Sequence, residues 1–140
     1  MSRFLRTAWT LLRRSPLALE AAVFLTAASV AKCVLPGGRL TRLLGQPAHP
    51  EHCEAGPPGA EAALVGYAVS RVARLLPWHP TCLPQALAVR MMLRRRGVAC
   101  VSHLGVFQTQ PVKAHAWVTV NGAIVQGGPV RHIAEVARFK

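Results

Sequence analysis

Apolar positions recur along this 140-residue chain with a helical period first and an alternating one later. Residues 3–14 (RFLRTAWTLLRR) set Phe4, Leu5, Trp9, Leu11 and Leu12 among arginines and predict a short basic amphipathic helix. Ser15-Pro16 reads as an N-cap and first-turn proline, opening a helix over 16–34 that Pro36-Gly37-Gly38 stops. Its uncharged stretch, Ala21 to Ala31, is shorter than the ~20 residues of a bilayer span. A buried core helix is therefore expected. Residues 36–60 are rich in proline and glycine and read as a linker or surface loop, with a short helical piece near Leu40–Leu44. Leu64, Tyr67, Ala68, Val72 and Leu75 predict a helix over 60–76, broken by Pro77 and Pro80. A further helix runs over 82–96 and ends at Gly97. Strands follow at 98–108, 113–120 and 123–126, the last two joined by Asn121-Gly122, a strong hairpin signal. The tail from Val130 reads as a short strand or helix. Helices first and an antiparallel sheet after them predict an α+β fold. The organisation expected is a basic helical segment over 1–45, a linker over 46–60 and a core over 61–140.

Charge narrows the partners. Lys and Arg number 17 against 5 acids, a net +12, and every acid is a glutamate. Acidic peptides, acidic proteins, nucleic acid and anionic lipid all match that sign. Nucleic acid ranks low, because the arginines are scattered and the run Arg94-Arg95-Arg96 is explained by a helix C-terminus. A peripheral membrane contact also ranks low, resting on residues 3–14. The four cysteines form no CxxC pair, so neither metal nor cofactor is expected. His49, His52 and Cys53 fall in the loop and lack a fourth ligand. Without a recognisable signal peptide, free thiols in a reducing cytoplasm are expected.

The candidate chemistry lies in Thr81-Cys82-Leu83-Pro84-Gln85 and His115-Ala116-Trp117. Thr81 as N-cap puts Cys82 at the first helical position, where orphan N–H groups and the helix dipole favour a thiolate. The Cys82 backbone N–H is the expected oxyanion donor. Pro77 and Pro80 stiffen the approach, and Trp78 and Trp117 are the candidate cleft-lining residues. His115 is the candidate base. With a two-residue hairpin loop, Val118 should oppose Val125 and Trp117 should oppose Gln126. His115, Trp117, Thr119, Ile124 and Gln126 would then share one face. On that register Gln126 lies diagonal to His115 and is the candidate orienting group, ahead of Asn121. Cys33 and Cys100 read as core thiols, and His103 as a structural or cleft-lining residue. A lone helix-start cysteine is usually structural; helix-start Cys, strand His and hairpin together favour a catalytic pair.

The run TCLPQALAVRMMLRRRGV followed by HAWVTVNGAIV resembles the B2-type leader peptidases of lasso peptide biosynthesis, which are small transglutaminase-like, papain-related cysteine proteases. The resemblance extends to the basic, leucine-rich N-terminal segment. It implies a core with the helix-start cysteine packed on an antiparallel sheet. It implies a peptidase with Cys82 as nucleophile and His115 as base, which removes the leader of a ribosomally made precursor peptide. A separate leader-recognition protein and an ATP-dependent cyclase are the implied partners. The family usually places an aspartate after the HAW strand, and this chain has none. Other classes consistent with the residues are a transglutaminase-like acyltransferase and a peptide-binding scaffold.

Overall fold

The computed structural model describes residues 15–49 and 56–140. The helix expected over 3–14, together with His52 and Cys53, lies outside them. The elements are α1 (Pro16–Val34), α2 (Gly37–Leu43), α3 (Ala60–Leu75), α4 (Cys82–Arg95), β1 (Val101–Phe107), β2 (Lys113–Val120), β3 (Ala123–Gln126) and β4 (Ile133–Phe139). The strands form one antiparallel sheet in the order β3-β2-β1-β4. The α+β architecture is the one expected.

Local rules account for the element ends. The Ser15 hydroxyl accepts from the Ala18 N–H, and Pro16 opens α1. At the end of α4, Val98 N–H donates to Leu93 and Gly97 N–H to Arg94, a Schellman closure. Asn121 and Gly122 both take positive φ, as a primed hairpin turn requires. The tail resolves as β4 on the β1 edge. Residues 46–48 are pinned rather than free: Gln46 exchanges two backbone hydrogen bonds with Lys140, and Ala48 donates to Arg138. That covers part of the exposed edge of β4. The linker expected over 36–60 thus begins as structure, with Leu40 and Leu44 buried against Ala28, Leu87 and Phe139.

Helices α3 and α4 cover one face of the sheet, and α1 packs on those two helices. Ala116, Val118 and Val120 of β2 point into that core, where they meet Ala86, Val89 and Met92 of α4 and Val65 and Val69 of α3. The N-terminal segment joins the same core through Ala21 and Leu25. Close packing demands small residues at the crossings. A Cβ on Gly66 of α3 would lie 1.9 Å from the Val125 carbonyl oxygen, so only glycine lets α3 approach β3. The buried-helix expectation for α1 holds for one face, Ala21, Leu25 and Ala28; its opposite face is exposed.

One ion-pair cluster ties three helices. Glu20 of α1 meets Arg96 at 2.7 Å and Arg95 at 3.0 Å, and Arg96 also reaches Glu61 of α3 at 3.3 Å. The hydrogen bond from Arg96 holds the Glu20 carboxyl below its ordinary range. A depressed carboxyl stabilises the fold above that range, and the contribution is lost as pH falls through it. Glu20→Gln is expected to lower unfolding free energy by about 1 kcal/mol at neutral pH. Denaturant titrations across pH check this, since the gap between wild type and variant should close on acidification.

Candidate active site

Cys82 occupies the first position of α4, half-buried against the core. Thr81 is the N-cap by backbone, but its side chain does not cap the helix. Its hydroxyl instead accepts from Lys32 Nζ at 2.8 Å, across 49 positions of sequence. Gln85 N–H donates to the Thr81 carbonyl, and Pro84 has no N–H. Among the described residues, the N–H groups of Cys82 and Leu83 are therefore left without a backbone acceptor. Two orphan donors at a helix start, with the macrodipole behind them, suit a developing negative charge.

His115 stands on β2, on the face away from the helices. Its Nε2 lies 2.5 Å from the Gly127 carbonyl oxygen. A carbonyl only accepts, so Nε2 carries the proton and, in the neutral ring, Nδ1 holds the lone pair. Among the described residues Nδ1 has no hydrogen-bond partner. The ring is ready to accept a proton on that side.

The hairpin register differs from the expected one. Val120 opposes Ala123 and Thr119 opposes Ile124, but Val118 opposes Gln126, with Val125 as an extra residue. This bulge breaks the two-residue alternation. It removes Gln126 from the His115 face, correcting its expected role as the group that orients the imidazole. Gln126 is buried and donates its amide to Gln85 Oε1 at 3.1 Å, while Gln85 Nε2 donates to the Pro80 carbonyl at 2.8 Å. The Gly127 carbonyl takes the orienting role instead. Asn121, the lesser candidate, donates to Pro57.

The structure does not bring Cys82 and His115 together: Cys82 packs on the helix side of the sheet, and His115 projects from the opposite face. Gln126 and Gly127 are adjacent in sequence; one bonds to the first turn of α4 and the other to His115. Cys82 and His115 are not hydrogen-bonded to each other. Trp78, half exposed on the loop before α4, keeps an open face. Trp117 is buried rather than cleft-lining, and stacks with His115 at 6.1 Å between ring centroids. Phe107 leans on the other side of His115, at 5.6 Å.

Behind Trp117 lies a brace that the sequence did not reveal. His103 stacks on Trp117 at 5.1 Å, nearly parallel, with Nδ1 at 2.6 Å from Glu135 and Nε2 at 2.8 Å from Thr119 Oγ1. Burial works against the charge of Glu135, but hydrogen bonds from Arg138 and His103 outweigh it and hold the carboxyl low. Gly105 makes the stack fit: a Cβ there would lie 2.9 Å from the Trp117 ring. His103 is buried in this brace, with both ring nitrogens hydrogen-bonded.

Among the described residues, no cluster of His, Cys, Asp or Glu is arranged to hold a metal ion. Two cavities, of about 270 and 420 Å³, share Arg90 and Arg94 of α4; the first is completed by the loop after α4 and the second by residues of α1 and α2, and neither includes Cys82 or His115. Cys33, Cys82 and Cys100 are free thiols. Cys33 is exposed, a departure from the expected core role, whereas Cys100 is buried and burial pushes its thiol up. Iodoacetamide at neutral pH should label Cys33 at least about tenfold faster than Cys100 in the folded chain, because the thiolate is the nucleophile. Peptide mass mapping before and after denaturation checks it; equal rates would contradict the burial.

Compared with known proteins, residues 32–139 match the model of the transglutaminase-like superfamily. No curated protein and no solved structure matches the chain. That superfamily includes cysteine peptidases and acyltransferases, and the match spans the helix-start cysteine, the histidine strand and the hairpin. The chain belongs to the transglutaminase-like superfamily.

Proposed function

We propose that this chain is a cysteine endopeptidase that removes the leader from a lasso precursor peptide, with Cys82 as nucleophile and His115 as general base. The observation that carries the chemistry is the hydrogen bond from His115 Nε2 to the Gly127 carbonyl, which presents Nδ1 as the proton acceptor. The reading requires the imidazole and the Cys82 thiol, which start from opposite faces of the sheet, to come within hydrogen-bond reach, where Nδ1 takes the thiol proton. The thiolate then attacks the scissile carbonyl, and the N–H groups of Cys82 and Leu83 receive the oxyanion. His115 returns the proton to the departing amine, leaving a thioester that water hydrolyses with the same ring as base.

The Gly127 carbonyl orients the ring without supplying a countercharge to the imidazolium. The chain therefore keeps the positioning part of a triad and gives up direct charge compensation. The lasso assignment rests on the run around Cys82 and the HAW strand. It brings with it a separate leader-recognition protein, the cyclase as the next enzyme and a cytoplasmic setting in keeping with the free thiols.

Incubation of the chain with a precursor peptide and the leader-recognition protein, read by mass spectrometry, tests this. Release of a core with a free N-terminus is expected, whereas transfer of the acyl group to an added amine would favour an acyltransferase. Cys82→Ala and His115→Ala should each lower cleavage by about a thousandfold or more. Gln126→Ala, which touches Gln85 and not the imidazole, should cost about tenfold or less. Unchanged cleavage by Cys82→Ala would sink the peptidase reading and leave a peptide-binding scaffold.

A further inference from the structure

Helix α1 is apolar on both sides. Ala21, Leu25 and Ala28 face the core. On the opposite side Leu19, Val23, Val30 and Val34 are 55%, 59%, 56% and 73% exposed, with exposed Ala27 between them. The steps 19, 23, 27, 30, 34 follow the helical period, so these side chains form one continuous stripe. None of them is charged. Single exposed apolar residues are ordinary, but a contiguous row along a whole helix marks a binding surface.

By length and composition α1 could cross a membrane, and only 17% of its apolar window is buried. Spanning would strip Ala21 and Leu25 from the core they share with Val65 and Met92. Lying flat leaves that core intact and covers the stripe alone. Charge favours an anionic surface. The chain carries +12, and residues 1–14, directly before α1, hold Arg3, Arg6, Arg13 and Arg14 with no acid. That segment also supplies Phe4, Leu5, Trp9, Leu11 and Leu12. Apolar insertion joined to cationic attraction is the signature of binding to an anionic bilayer surface. An uncharged protein partner would satisfy the stripe and leave the excess of cations unexplained.

We propose that the exposed face of α1 docks in the headgroup region of an anionic membrane, holding the enzyme as a peripheral protein. This goes beyond the peptidase reading and does not depend on it, because the readout is partitioning rather than cleavage. The test is flotation of the full-length chain with vesicles of phosphatidylcholine alone and of phosphatidylcholine mixed with phosphatidylglycerol. Binding to the mixed vesicles is expected, weakened by high salt. Val23→Glu/Val30→Glu should reduce partitioning by about tenfold or more, while Val136→Glu, at an exposed valine on β4, should not. Circular dichroism melts establish that the variants fold, and Val23→Ser/Val30→Ser serves if the glutamate pair does not. Three results would overturn the proposal. One is no flotation with either vesicle. Another is flotation indifferent to the stripe variants, which would assign binding to residues 1–14 alone. The third is a solution dimer dispersed by those variants with no vesicle binding, which would make the stripe an interface between copies.

Discussion

The packing of α4 sets everything else. Pro84, Ala86, Leu87, Ala88, Val89, Met92 and Leu93 are all buried, so this helix is enclosed by α1, α3 and the sheet. An enclosed helix in a close-packed interior cannot slide without opening cavities. Its N-terminus is therefore held at one place relative to β2 and β3, and Cys82 with it. Ala86 and Ala88 are buried small residues on opposite sides of this helix, and Gly66 lets α3 approach β3. The arginines at the far end of α4 close the arrangement by gripping Glu20 and Glu61.

The second constraint is the bulge at Val125. Without it, alternate residues of β3 would carry Gln126 to the histidine face. With it, Gln126 turns to the helix side and bonds to Gln85, and the next carbonyl meets His115. A backbone carbonyl can orient an imidazole as well as a carboxylate can, because orientation needs only an acceptor. It lacks the charge that would stabilise an imidazolium. The stacked layer of His103, Trp117 and His115 adds rigidity from the other side, anchored by Glu135 and Thr119. A chain without aspartate thus still holds its histidine in one tautomer.

The free face of α1 stands apart from this design. Most of the structure places apolar residues inside and leaves cations outside, as solvation requires. Here a helix indispensable to the core also shows a row of valines to its surroundings. The features that make it a core element on one side make it a surface-active element on the other.

Element boundaries were legible from residues 15 onward because they depend on local chemistry. Ser15-Pro16, Asn121-Gly122 and the closure at Gly97 are decided by hydrogen bonds and φ angles within a few residues. Cys82 at a helix start and His115 on a strand belong to the same class. The exposure of α1 was not legible, since a helix with apolar residues on both sides gives little moment from which to tell its inner side from its outer one. Nor were the Lys32–Thr81 contact or the brace on Trp117, which join elements far apart in sequence. By itself the sequence determined most of the elements, with Cys82 at a helix start and His115 on a strand, because those follow from neighbouring residues. Only the tertiary structure decided which atom faces His115, because a single inserted residue in a strand reverses every side chain beyond it, and the packing around the hairpin, not its composition, selects where that residue goes.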